Sequence, residues 1–225
     1  MKAAVDTSFF TIMSTEKFRE QKEQFAYHKE MLHSMSSIRY CKAEIFRDCM
    51  TGTIRLPQKN DHKKVQLAFG FYLTGDRIYF IEDEGKLKPW IEKRVEIFRR
   101  ADTPAQLMLQ MMEYMIEEDS MFFSHMESIV DQLEEKITDG SAADQDVFWQ
   151  LTKYRQKLSE FNVYYEQLID IGELFGTYSG CQEKDVQGWN RFIHRAERLQ
   201  NHVQLLRENV LEIRELYQSM KDAQG

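Results

Sequence analysis

The last third of the chain has the most regular hydrophobic pattern. From Trp189 to Met220, apolar residues alternate in steps of three and four over about four heptads, as on a helix that packs along one face. At 1.5 Å per residue this helix is on the order of 50 Å long, more than a small globular unit of the same chain covers. We therefore predict an oligomer seam, with an intramolecular hairpin as the alternative; the seam positions are Val203, Leu206, Val210, Ile213 and Tyr217.

Two further long helices are predicted before this one. The segment from Pro104 to Thr138 lacks internal breakers, begins after an N-cap at Asp102 or Thr103, and ends at Asp139-Gly140-Ser141. A return helix starts near Ala142 and carries apolar residues in steps of four and three. The pattern indicates an antiparallel helical hairpin, followed near Asp185 by the C-terminal helix.

The first hundred residues show the pattern of a small sheet with helices. Short runs rich in β-branched and aromatic residues, bounded by turn residues, predict strands at Phe9–Met13, Ile38–Asp48, Thr53–Leu56, Val65–Leu73 and Arg77–Asp83. Between the last two strands, Thr74-Gly75-Asp76 predicts an antiparallel hairpin with Gly75 free to take a positive φ. Helices are predicted at Thr15–Met35 and Lys86–Arg100.

Together these elements predict an α+β or α/β fold. Residues 1–101 form a small mixed β-sheet with packed helices, and residues 102–225 form the long helical hairpin and the long C-terminal helix. A chain of 225 residues buries a sizeable core without a disulfide or metal, so no cofactor is required for folding.

Charge and cysteine usage exclude several function classes. With 30 Lys and Arg against 37 Asp and Glu, the net charge is −7, which argues against nucleic acid as a partner. The three cysteines lack C-x-x-C spacing and fit a reducing compartment. No apolar run has the length of a signal peptide core or a membrane span, so the chain as given is predicted to be soluble and cytoplasmic.

Enzymatic motifs are also missing from the sequence. It contains no glycine-rich phosphate-binding motif, no G-x-S-x-G and no H-E-x-x-H. We therefore expect that the chain is not an enzyme; a metal-dependent enzyme using His with Asp or Glu has no residue constellation in its favour.

Four segments, in order along the chain, resemble CorA-type magnesium and divalent-cation transporters. They are Arg39–Glu44 (RYCKAE), Phe69–Glu84 (FGFYLTGDRIYFIEDE), the acidic helical stretch Met115–Ile137, and Asn209–Ser219 (NVLEIRELYQS). The resemblance implies a cytoplasmic domain whose last helix is a stalk leading to the first transmembrane helix. It also implies a pentamer with a central pore, on the cytoplasmic face of the cell membrane. The transmembrane helices and the Gly-Met-Asn signature lie outside this sequence, and we expect the intact protein to continue into them.

The resemblance further implies regulatory divalent ions, such as Mg²⁺, bound by carboxylates between subunits. At the positions expected to carry those acids this chain has His33 and Arg191, and Glu113 is the nearest acid that remains. We therefore propose Glu113, Glu117 and Glu118 as metal-ligand candidates, because Mg²⁺ prefers carboxylate oxygens. The alternative for clusters such as Glu117-Glu118-Asp119 is an ordinary solvated helix surface.

The function expected from this resemblance is that of a cytoplasmic regulatory domain in a CorA-like Mg²⁺ or Co²⁺ transporter or channel. It would sense ions at subunit interfaces and gate through the stalk helix. The alternative is a soluble coiled-coil scaffold or adaptor, in which the heptads bind a partner helix and ions play no role.

Overall fold

A computed structural model describes residues 9–60, 65–140 and 144–224. Its strands are β1 (Phe10–Met13), β2 (Lys42–Ile45), β3 (Met50–Pro57), β4 (Val65–Leu73) and β5 (Ile78–Ile81). Its helices are α1 (Thr15–Glu20), α2 (His28–Met35), α3 (Leu87–Glu92), α4 (Val95–Phe98), α5 (Pro104–Met115), α6 (Asp119–Thr138), α7 (Asp144–Thr177) and α8 (Glu183–Gln224). The predicted α+β architecture of a small sheet followed by long helices is confirmed.

The sheet has five strands in the order β1-β5-β4-β3-β2. Strand β1 runs parallel to β5 and the other neighbours are antiparallel, so the predicted mixed sheet and the β4–β5 hairpin are confirmed. Gly75 does not use the positive φ that is open to glycine, since the positive-φ glycines of the described residues are Gly85 and Gly140. The Thr74 hydroxyl closes the turn instead, by accepting a hydrogen bond from the backbone N–H of Arg77 at 3.2 Å.

The single helix predicted over Thr15–Met35 is wrong. It is divided into α1 and α2 by a short 3₁₀ turn and by an extended Phe25 (φ −121°, ψ 112°). The extended backbone places the Phe25 ring against Phe18 and Tyr72, at centroid distances of 4.6 and 4.9 Å. Burial of aromatic surface therefore outweighs the helix propensity of the segment.

Two other predicted helices are also interrupted. Lys86–Arg100 forms α3 and α4, and the break lets Trp90 and Phe98 both pack on the Tyr114 ring. Pro104–Thr138 forms α5 and α6, separated by a turn that contains the fully buried Ile116. The Thr103 N-cap is confirmed, because its hydroxyl accepts a hydrogen bond from the N–H of Gln106 at 3.1 Å. The predicted breaker Ser141 and helix start Ala142 lie outside the described residues.

Helices α7 and α8 form the antiparallel pair that dominates the helical part. Near one end of the pair the Phe175 ring stacks on Trp189, and near the other the Arg214 guanidinium lies 5.1 Å from the centroid of Phe148. The pair is joined to the sheet at its β2 side, where the backbone N–H of Cys41 donates to the side-chain oxygen of Gln167 at 2.8 Å.

The predicted seam residues lie inside this helix pair. Within the single chain they are at most 6% exposed, and they belong to the same apolar cluster as Val147, Leu151 and Leu158 of α7; they are Val203, Leu206, Val210, Ile213 and Tyr217. At these positions α8 packs against α7 of the same chain, as in the intramolecular hairpin that the sequence left open as the alternative. The apolar stripe does not distinguish a partner chain from the preceding helix of the same chain.

Candidate functional site

The three metal-ligand candidates lie around the turn between α5 and α6. Glu113 is half-buried on the last turn of α5, and Glu117 and Glu118 are exposed in the turn itself. The break between the two helices therefore brings the backbone of the three acids into one region. It also brings three arginines to the same place: Arg94, Arg191 and Arg195.

Glu117 is held by two of these arginines. Its carboxylate accepts a hydrogen bond from the Arg94 guanidinium at 2.7 Å, and its backbone carbonyl accepts one from Arg195 at 3.1 Å. The Arg94 guanidinium also lies over the Tyr114 ring, 5.0 Å from its centroid. In this state the Glu117 carboxylate is engaged by a protein cation, and an incoming metal ion would have to displace that cation.

Glu113 has a perturbed acid–base equilibrium. Burial raises the pKa of its carboxyl group above the ordinary value, and the nearby positive charges of Arg195 and Arg191 act in the opposite direction. Arg191 is therefore close enough to influence Glu113 electrostatically. The other departure from the resemblance, His33, is exposed on α2, which packs on strands β3 and β4.

Among the residues that the structure describes, no group of three His, Cys, Asp or Glu side chains is placed to hold a metal ion. Mg²⁺ retains several waters and is commonly held by only one or two carboxylates, so a magnesium site would not need three such side chains from one chain.

The sequence interpretation missed the role of Asp119. Its position in the Glu117-Glu118-Asp119 cluster indicates solvated helix surface, but its side chain is 1% exposed. Its two carboxylate oxygens lie 2.9 Å from the Lys59 ammonium and 2.6 Å from the Tyr165 hydroxyl, which donates to it. Burial and the Asp119 charge together raise the pKa of Tyr165 well above its usual range. Asp119 thus ties α6 to α7 and to the turn after β3.

Among the helices of the described ranges, none combines the length with the apolar character that crossing a bilayer requires.

Comparison with known proteins gives a match over almost the whole chain. Residues 10–224 match the family described as CorA-like Mg²⁺ transporter protein. No curated protein matches the chain in sequence.

Solved structures resemble the fold described above. The complete CorA magnesium transporter from Methanocaldococcus jannaschii has a TM-score of 0.78 at 12% identity, over 99% of this chain and 73% of that one. The full-length CmaX protein gives 0.77 at 14% identity, over 96% and 68%. The ZntB cytoplasmic domain from Vibrio parahaemolyticus gives 0.65 at 10% identity, over 95% and 88%. At these identities the similarity establishes the fold.

Proposed function

Because this chain belongs to the family of CorA-like Mg²⁺ transporters, we propose that it is the cytoplasmic regulatory domain of a divalent-cation transporter or channel. The observation that carries this proposal is that the family match runs to residue 224 and so includes all of α8, a helix of 42 residues. In this proposal α8 is the stalk helix that leads toward the membrane, and the domain lies on the cytoplasmic side.

The proposal extends to ion sensing by a homo-oligomer, with a pentamer as the expected assembly. In this proposal Glu113, Glu117 and Glu118 of one chain, which lie beside three arginines, supply part of the ligand set, and a second subunit supplies the rest. An ion that bridges two subunits favours the conformation in which they are close, by no more than its differential affinity for that conformation.

The seam for such an assembly would use surface that α7 leaves uncovered. On α8 the exposed large apolar residues are Leu205 and Leu216, at 66% and 40% exposure. They are eleven residues apart, about three helical turns, and so lie on one face. The coiled-coil adaptor alternative loses its main support, because the heptad stripe that would bind a partner helix is buried against α7.

A flux measurement tests the transport proposal. The protein that contains this chain, reconstituted into liposomes loaded with a fluorescent Mg²⁺ indicator, should admit Mg²⁺ down an imposed gradient faster than empty liposomes. Proteoliposomes that receive only K⁺ at equal ionic strength are the control for leakage. Flux equal to that of empty liposomes, or failure of the protein to insert, would contradict the proposal.

Removing the Glu113 carboxylate should reduce the response to Mg²⁺. A ligand present at ten times its dissociation constant stabilises the folded state by about 1.4 kcal/mol, which raises Tm by about 3–6 °C for a chain of this size. We expect this increase for the native protein in thermal unfolding and less than half of it for Glu113→Gln. Glu134→Gln, on the exposed face of α6, is the matched control and should respond like the native protein. Equal Mg²⁺ responses in all three proteins would remove Glu113 from the site.

The same variant has an expected pH dependence without metal. Because burial raises the pKa of Glu113 in the folded state, its ionisation disfavours folding at pH values above that pKa, and the penalty vanishes as the pH falls. Glu113→Gln should therefore be more stable than the native protein at pH 7 in EDTA, and the difference should disappear near the ordinary pKa of glutamate. A difference that grows on acidification would contradict this sign.

A further inference from the structure

A cavity of about 450 Å³ lies between α6, α7 and the turn that follows β3. Its lining residues come from three stretches of chain: Lys59 and Asn60; Phe122, His125, Met126 and Ile129; and Gln150, Lys153, Tyr154 and Lys157. None of these ten lining residues is acidic, although the chain carries a net charge of −7. The cavity therefore differs in charge from the protein as a whole.

The two helices contribute walls of different chemistry. Each supplies four residues with the spacing i, i+3, i+4, i+7, which places them on one helical face. The α6 face is mainly apolar, with Phe122 and Met126 among its members, whereas the α7 face has two lysines, an amide and a phenol. A ligand in the cavity would therefore contact an apolar surface on one side and hydrogen-bond donors on the other.

Two of the lysines are fixed in place by the protein. Lys157 is 5% exposed, donates from its ammonium group to the backbone carbonyl of Gln58, and lies 5.3 Å from the centroid of the Phe161 ring. Lys59 is paired at 2.9 Å with the buried Asp119. Ordering these ammonium groups before a ligand arrives lowers the entropic cost of binding.

Positive side chains outnumber acidic ones in the lining of the cavity. The lining includes Lys59, Lys153 and Lys157 and no acid. Asp119 pairs with Lys59, and Glu160 lies 3.4 Å from Lys157, so these carboxylates offset part of the charge, whereas Lys153 is exposed at the cavity. An anionic group such as a phosphate fits this lining.

We propose that this cavity binds a small organic phosphate that carries a planar ring, of the nucleoside monophosphate class. The phosphate would face the lysines of α7 and the turn after β3, which donate charge-assisted hydrogen bonds. The ring would lie against Phe122 and Tyr154, and the volume is within the range of small-molecule sites. Burial raises the pKa of Tyr154, so its phenol stays protonated and can act as a donor.

The site is formed within one chain and does not depend on ion transport or on oligomerisation. Its test can therefore fail or succeed independently of the transport proposal. Isothermal titration calorimetry with AMP as the probe, in EDTA to exclude effects of divalent ions, should show saturable binding of one AMP per chain. Adenosine and inorganic phosphate, which each carry half of the recognised chemistry, should bind at least tenfold more weakly.

Two substitutions at exposed positions address the charge directly. Lys153→Gln removes a cation, and Gln150→Glu adds an anion with almost no change in side-chain volume. Each should weaken AMP binding about tenfold, whereas the matched control Lys136→Gln, on an exposed part of α6 that does not line the cavity, should bind like the native protein. The circular dichroism spectrum and Tm of each variant verify that the fold is retained.

The outcomes that would overturn the proposal are distinct. Absence of saturable AMP binding at millimolar concentration, or equal binding by Lys153→Gln and Lys136→Gln, would remove the anion site. Adenosine that binds as tightly as AMP would contradict phosphate recognition. Inorganic phosphate that binds as tightly as AMP would contradict ring recognition.

Discussion

Replacing Val203 by Asp should destabilise the folded chain by about 4 kcal/mol, because an unpaired charge would be buried between α7 and α8. Val203 is fully buried in the apolar cluster that joins the two helices. Since domains unfold with about 5–15 kcal/mol, such a loss leaves the variant near the edge of stability. Urea unfolding followed by circular dichroism measures it as a large decrease in the transition midpoint.

The matched control is Val163→Asp, the same substitution at an exposed position of α7. Val163 is 48% exposed, so the new charge there stays solvated and should change the free energy of unfolding by less than about 0.5 kcal/mol. The effect of Val203→Asp should be independent of protein concentration, as an intramolecular contact requires. If Val203→Asp were as stable as Val163→Asp, the packing of α8 on α7 would be contradicted.

Replacing Trp189 by Ala should cost about 3–5 kcal/mol, the usual range for removing a large aromatic side chain from a core. The Trp189 side chain is fully buried near the start of α8 and stacks on Phe175, with centroids 4.1 Å apart and planes inclined by 12°. Phe192 packs edge-on against it at 5.8 Å. Differential scanning calorimetry should show a Tm decrease of 5 °C or more.

Trp149→Ala makes the same substitution at a solvent-exposed position. Trp149 is 64% exposed on α7, so its removal should leave Tm within about 1 °C of the native value. The pair of variants therefore separates loss of core packing from loss of a tryptophan as such. Equal Tm values for the two variants would contradict the position of Trp189 in the core.

The sequence predicts those parts of the fold in which one regular pattern extends over many residues. The stripe from Trp189 to Met220 identifies α8, and the alternation around the Thr74–Asp76 turn identifies the β4–β5 hairpin. The helix break at Ile116 has no such signal, since neighbouring residues such as Glu117 and Glu118 are good helix formers. That break results from tertiary packing, which buries Ile116 and Asp119.

The candidate sites show the same division between local and long-range information. The sequence identifies acids such as Glu113, but it does not show that burial and two arginines perturb this carboxyl group. The α6–α7 cavity is present in the sequence only as two separate helical faces, each with the spacing i, i+3, i+4, i+7. That Lys153 and Phe122 face one cavity follows from the pairing of the helices with each other and with the turn after β3.

The pairing of α7 with α8 along their length gives the molecule a mechanical property. A helix of 42 residues extends about 60 Å, and its partner stiffens it from the Trp189–Phe175 stack to the Arg214–Phe148 contact. Gln167 joins this pair to the edge of the sheet part-way along α7, near the point where Asn162 faces Gln200 of α8. About 40 Å of α8 therefore lies beyond this attachment, and a rotation of the pair by one degree about it would displace the end of α8 by about 0.7 Å, from the helix rise alone.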